Sequence, residues 1–157
     1  PIQHDASIPH TSVRHVDVLT ARTAMQAVGT AIRRGLVMAC HDLSEGGLAV
    51  AAAEMALAGM LGVSLDLSPV PREAEELEQG LMHVILLFSE SASRFLLEVA
   101  HEQRPAFEQH MHAYGVQDLA RIGRVSDTGR FVVSDKEQVL IDMPVEALQA
   151  AWKGERA

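Results

Sequence analysis

Cysteine is nearly missing from this 157-residue chain: Cys40 stands alone, so no intramolecular disulfide can form and a reducing compartment is indicated. Aromatic residues are only 4% of the total, too few for a base-stacking platform. Positive charge is also short. Thirteen Lys and Arg against 21 Asp and Glu leave a net charge of −8, which argues against a sequence-independent nucleic-acid binder. No apolar run approaches the length of a membrane span. Residues 1–17 have no basic stretch leading into an apolar core, so they do not read as a signal peptide. The chain does not open on Met, which points to a processed or excised piece. What remains is ordinary for a globular domain, with 48% hydrophobic and 22% charged residues. A chain of this size buries about 70% of its unfolded surface and needs no disulfide or metal to fold. These properties describe a soluble, acidic, cytoplasmic single domain and say nothing of its chemistry.

Residues 1–16 show no clear period and read as a linker or arm; the domain proper is expected over 17–154. Asp17 is a fair N-cap for a helix whose apolar face is Val18, Ala21, Met25, Val28 and Ile32, with Gly35 at its left-handed end. Leu36 to Cys40 reads as a buried strand, with Cys40 as a core residue. Leu48 to Ala58 reads as a buried helix ending at Gly59, and Val63 to Leu67 as a strand. Glu73, Glu75, Glu76 and Glu78 make a solvated acidic stretch. The apolar run Leu81 to Phe88 reads as a central strand, and Arg94 to Val99 as another. A helix is expected from Pro105, presenting Phe107, Met111 and Tyr114 and ending at Gly115. Three short strands follow, near 121–125, 131–134 and 139–142, as a meander. Pro144 then opens a last helix with Val145, Leu148 and Trp152 on one side. The sum is an α+β domain: a mixed, mostly antiparallel sheet with helices packed on it.

Two loops gather polar groups. The first is Asp42-Leu43-Ser44-Glu45-Gly46-Gly47, between a strand and a buried helix. A strand-turn-helix junction offers free backbone N–H groups, and two glycines let another group approach closely. Asp42 and Glu45 already bring negative charge, so a phosphate there would need a divalent cation. The alternative is that Asp42 or Ser44 caps the helix and Glu45 complements its dipole. The second loop, Ser89-Glu90-Ser91-Ala92-Ser93-Arg94, collects hydroxyls, a carboxylate and a guanidinium at a strand end. An Arg there can hold a phosphate or carboxylate by two bonds, or simply pair with Glu90 across a polar hairpin. His110 and His112 stand two apart on a helix and point too far apart to chelate one ion; they read as surface residues. No Walker-type loop, dinucleotide fingerprint, zinc-ligand set or serine elbow is present.

Several stretches, in order, carry a family resemblance: 35–37, His41 to Ala51, 53–55, Gly62 to Leu67, Leu87 to Phe95, 122–125 and Leu148 to Trp152. Together they resemble the C-terminal domain of the aminoimidazole ribonucleotide synthetase superfamily. Within it they are most similar to the phosphoribosylformylglycinamidine synthases. The resemblance implies an ATP-dependent carbon–nitrogen ligase of purine biosynthesis. Such an enzyme converts formylglycinamide ribonucleotide and glutamine to formylglycinamidine ribonucleotide, through an iminophosphate that ammonia displaces. It implies ATP and Mg2+ in the full enzyme, with neither held tightly by this domain alone. It implies as partners the remaining synthetase domains and a glutaminase domain or subunit, so Cys40 is not the glutaminase nucleophile. By position, the resemblance assigns nucleotide or substrate contact to Asp42, Ser44, Gly46, Gly47, Ser89, Glu90, Ser91 and Arg94, with Asp42 on the metal. The family's working copy of this domain reads Gln-Asp, then Gly-Ala-Ala-Gly, and later Ser-Glu-Ser-Gln. Here those places hold His41-Asp42, Ser44-Glu45-Gly46-Gly47 and Ser89-Glu90-Ser91-Ala92, and Ala92 lacks the hydrogen bonds of a Gln. The resemblance is therefore to the last copy, which lines an auxiliary nucleotide site. Two other expectations stand beside it. One is a non-catalytic assembly module. The other is the corresponding domain of selenophosphate synthetase, thiamine-monophosphate kinase or the hydrogenase-maturation dehydratase.

Overall fold

The structure, a computed structural model, describes residues 17–71 and 79–155. Its elements run α1 (Val18–Arg33), β1 (Ala39–Asp42), α2 (Gly47–Gly59), β2 (Gly62–Asp66), α3 (Gln79–Phe88) and β3 (Phe95–Glu98). After a single 3-10 turn come α4 (Arg104–Ala113), β4 (Gly123–Ser126), β5 (Arg130–Asp135), β6 (Gln138–Pro144) and α5 (Val145–Trp152). The α+β class expected from the sequence is what the chain forms. The acidic stretch Glu73 to Glu78 and the arm 1–16 lie outside the described residues.

The strands form two sheets. One is four-stranded, in the order β4-β2-β5-β6, with β2 parallel to β5 and the other pairs antiparallel. The expected meander is thus interrupted, because β2 inserts between β4 and β5. The other sheet is the antiparallel pair β1-β3, with Asp42 opposite Phe95. The larger core joins α2, α3 and the four-stranded sheet around Leu48, Leu67, Phe131, Val133 and Val145. The smaller core joins α1 to α4 through Ala27, Val28, Ala31, Phe107 and Met111.

Each end of α1 is closed by its own residues. The Asp17 carboxylate accepts from the Thr20 hydroxyl at 2.6 Å and from Leu19 N–H at 3.0 Å, and these bonds, the Thr20 one first, hold its pKa below the usual carboxylate value. At the other end Gly35, at φ +68°, donates to Ile32 O, and Leu36 donates to Ala31 O at 3.1 Å. Those two hydrogen bonds use Leu36 as the helix stop, so β1 starts at Ala39 instead. The strand shifts toward His41 and Asp42, and Cys40 is exposed rather than a core residue. Partial desolvation of the thiol, then the Asp42 charge, push its pKa up. The buried side of α1 is Ala27, Val28 and Ala31; Val18, Met25 and Ile32, expected on it, are exposed.

The run from Leu81 is a helix, not a strand. Met82, His83, Leu86 and Leu87 are buried, and Leu81, Val84, Ile85 and Phe88 are not. That is a helical phase, which an almost uniformly apolar run cannot announce. On β5, Phe131, Val133 and Asp135 alternate onto the inner face. The buried Asp135 carboxylate accepts from His83 Nε2 of α3 at 2.9 Å, as a buried charge requires. His110 is also buried, contrary to expectation. Its Nε2–H donates to Ala27 O at 2.9 Å, and its Nδ1 accepts from Arg34 at 2.8 Å, tying α4 to α1. His112 is exposed, as expected. Trp152 ends α5 pointing outward, while Val145 anchors the helix start through Gly129 O. Among the described residues, no helix is long and apolar enough to cross a membrane.

Candidate functional site

The two loops singled out in the sequence meet at the start of α2. β1 ends at Asp42, and Leu43 N–H donates to Arg94 O at 3.0 Å, which ties the root of one loop to the end of the other. The chain then turns through Ser44, whose carbonyl accepts from Gly47 N–H at 3.2 Å. Gly46 (φ +78°) and Gly47 (φ +63°) are both left-handed, the conformation that side chains resist. Gly47 also has no room for one: a Cβ there would stand 2.8 Å from the carbonyl oxygens of Leu87 and Ser89. The glycine pair therefore lets α2 press against the end of α3.

Across this contact Gly46 N–H donates to Glu90 Oε1 at 2.9 Å. Neither Asp42 nor Ser44 caps α2, since Gly46 is the N-cap residue and makes no side-chain cap bond. The cap is Glu90, 44 residues away in sequence, bringing a carboxylate to the positive end of the helix. Arg94 turns back on its own loop, donating to Ser89 Oγ at 2.7 Å, and so does not form a simple hairpin pair with Glu90. Ser93 completes the loop at φ +66°, a strained value for a residue with a Cβ. Ser91 is half-buried within it. The Asp42 side chain is 64% exposed and Ser44 and Glu45 are exposed, so this face of the joint looks outward.

Behind Asp42 lies a contact that the sequence did not suggest. His41 Nδ1 donates to Asp42 O at 2.6 Å, and Nε2 donates to Glu54 Oε2 of α2 at 2.7 Å. Both partners are acceptors, so the ring that satisfies both is an imidazolium. The Asp42 carbonyl bond, then the Glu54 carboxylate, raise the His41 pKa above its ordinary 6.5.

A nucleotide phosphate and its magnesium ion do not fit this turn as it stands. The Gly46 N–H that would receive the phosphate holds Glu90, and the Arg94 guanidinium that would clamp it holds Ser89. Glu90 brings negative charge to the Gly46 N–H, and Asp42 and Glu45 add two carboxylates on the same turn. Among the described residues, no group of three His, Cys, Asp or Glu could hold a metal. The geometry is that of a joint: two loops, a shared cap, and a glycine that admits the neighbouring backbone.

The model for the C-terminal domain of AIR synthase related proteins matches residues 1–136. This chain belongs to that family. Over 140 residues it is 36% identical to phosphoribosylformylglycinamidine synthase subunit PurL of Synechocystis, covering 88% of this chain and 17% of that protein. The solved structure of PurLQS from Thermotoga maritima superposes with a TM-score of 0.74 at 21% identity, over 87% of this chain and 23% of that one. T. maritima PurL complexed with ATP superposes with a TM-score of 0.69, also at 21% identity, over 81% of this chain and 21% of that one. At that identity the likeness is one of fold. The chain spans less than a fifth of the length of the curated relatives it matches.

Within this AIR synthase related C-terminal domain, the eight candidate residues were legible in the sequence as members of two loops, and the structure joins the loops at the α2 start. It did not bring forward His41–Glu54, or the role of Glu90 as a cap. The only local signal for the first was a histidine beside the turn; for the second there was none.

Proposed function

We propose that this chain is the C-terminal domain of a phosphoribosylformylglycinamidine synthase, in its last copy. The full enzyme is an ATP-dependent ligase that makes formylglycinamidine ribonucleotide from formylglycinamide ribonucleotide and glutamine-derived ammonia, in the cytoplasm. Its partners are the remaining synthetase domains and a glutaminase domain or subunit. The observation that carries this reading is the joint. Two stretches on which the family resemblance rests, 41–51 and 87–95, are bonded to each other through Gly46 and Glu90 and pressed together at Gly47. The relatives' names supply the reaction, and a solved relative complexed with ATP supplies the nucleotide.

Within that enzyme, Asp42, Ser44, Gly46, Gly47, Ser89, Glu90, Ser91 and Arg94 serve the assembly. They fix the α2 start against the α3 end and present the Asp42 face at the edge of the auxiliary nucleotide region. The Glu90 carboxylate stands where a phosphate would have to stand, so nucleotide and magnesium are bound by other parts of the synthetase. The domain alone is inactive. The test is the synthetase reaction run with and without this domain.

A further inference from the structure

Helix α1 carries an apolar stripe that this domain does not bury. Val18 is 73% exposed and Met25 54% exposed, and with Ala21 they floor a groove of about 910 Å³. The wall opposite is the loop at Ala92 and Ser93, where Ser93 holds its strained φ of +66°. Strain of that kind persists where the surroundings fix it, often at clamps for another group. Arg22 and Arg33 both line the groove, Arg33 donating to Thr30 Oγ1 at 2.9 Å, and among the described residues no acidic residue lines it, although the chain as a whole carries a net charge of −8. Eleven residues of helix separate the two arginines, which places their Cα atoms about 16 Å apart along the axis. The groove thus sets the apolar side chains of Val18, Ala21 and Met25 beside two cations.

We propose that this groove receives an acidic, partly apolar segment of the same synthetase polypeptide from outside these 157 residues, with carboxylates meeting Arg22 and Arg33. The inference rests on the reading of the chain as one domain of that longer enzyme. Charge complementarity selects the occupant. A second copy of this domain would bring its own arginines against these, and like charges placed together oppose docking. The apolar stripe supplies the burial that exposed ion pairs alone do not give. Seating a segment there also presses on the 89–94 loop, so the groove and the joint at α2 form one continuous contact region.

Hydroxyl-radical footprinting of methionine reads the groove directly. Met25 is compared in the 157-residue chain, in the full synthetase, and in the full synthetase carrying Arg22→Glu and Arg33→Glu. Buried Met111 serves as the control for an intact fold. The expected result is Met25 oxidised readily in the chain alone and slowed roughly tenfold or more in the full synthetase, the ratio given by one decade in a closure equilibrium. The double charge reversal should restore its reactivity while Met111 stays protected. Equal reactivity of Met25 in the chain and the full synthetase overturns the proposal. So does protection in the chain alone, whether independent of concentration (its own residues cover the groove) or rising with it (a second copy does). Protection that survives charge reversal overturns the acidic occupant. Synthetase activity is assayed on the same preparations. Activity with Met25 unprotected defeats the groove proposal and leaves the functional reading intact. Absent activity with Met25 protected defeats the functional reading instead.

Discussion

Gly47 answers two demands with one missing atom. Its φ of +63° suits glycine, and its Cα faces the backbone of Leu87 to Ser89 closely enough that a Cβ would stand 2.8 Å from two carbonyl oxygens. Gly47→Ala is therefore expected to destabilise the chain by roughly 2–5 kcal/mol, from backbone strain and overpacking together, seen as a lower urea midpoint. Gly35 is the contrast. It is also left-handed, but nothing stands within 4 Å of a Cβ there, so only the backbone penalty applies. His41 makes a second prediction. Its folded-state pKa lies above 6.5, so its contribution to stability is fully present below 6.5 and is lost as pH rises through the folded value. Wild-type stability should fall relative to His41→Gln as pH rises above 6.5 and through the folded value, followed by urea unfolding at each pH. A difference between the two proteins that does not change with pH would contradict the imidazolium bridge. At this scale the glycines and the polar loops were legible, because turn chemistry is local. Glu90 as the cap of α2 was not, since no local pattern links residues 44 positions apart. Cys40 was misplaced because its burial followed from where β1 starts, and Leu36 had already been taken by the helix stop.

Among the elements, α3 departs furthest from expectation. Leu81 to Phe88 is apolar at every position but His83, so neither a period of two nor one of 3.6 stands out, and the tertiary setting decides. Packing against α2 and the His83–Asp135 bond to β5 fix the helical phase. The phase is open to a substitution scan. Leu86→Asp and Leu87→Asp should each cost roughly 3 kcal/mol or more by burying a charge, while Val84→Asp and Ile85→Asp should stay within about 1 kcal/mol. Thermal denaturation of the chain separates the two groups. Equal, large losses at all four positions would describe a strand buried on both faces instead. The helices α1, α2, α4 and α5 were legible from caps, glycine stops and proline starts. The strand pairing was not. That β2 lies between β4 and β5 is a long-range choice which no spacing records. The face of α1 was misjudged for a related reason: the pattern marks which residues want burial, and this domain covers only Ala27, Val28 and Ala31.

For the whole molecule, the two hydrophobic cores come together at the joint. α2 belongs to the larger core and β3 is packed against the smaller one; Leu43, Glu90 and Arg94 link them within one short stretch of contacts. A joint whose hydrogen bonds are already satisfied, on a domain with uncovered apolar faces at α1 and α3, describes a part that works in contact with other parts. Matching a family domain, and spanning less than a fifth of the length of its curated relatives, agrees with that description. The most direct test is ATP- and glutamine-dependent formation of formylglycinamidine ribonucleotide by the full synthetase, by the same protein with residues 17–154 removed, and by the 157-residue chain alone. The expected result is product from the full synthetase only. A truncated synthetase that keeps the full rate, or a full polypeptide containing this domain that makes no product with its glutaminase present, would contradict it.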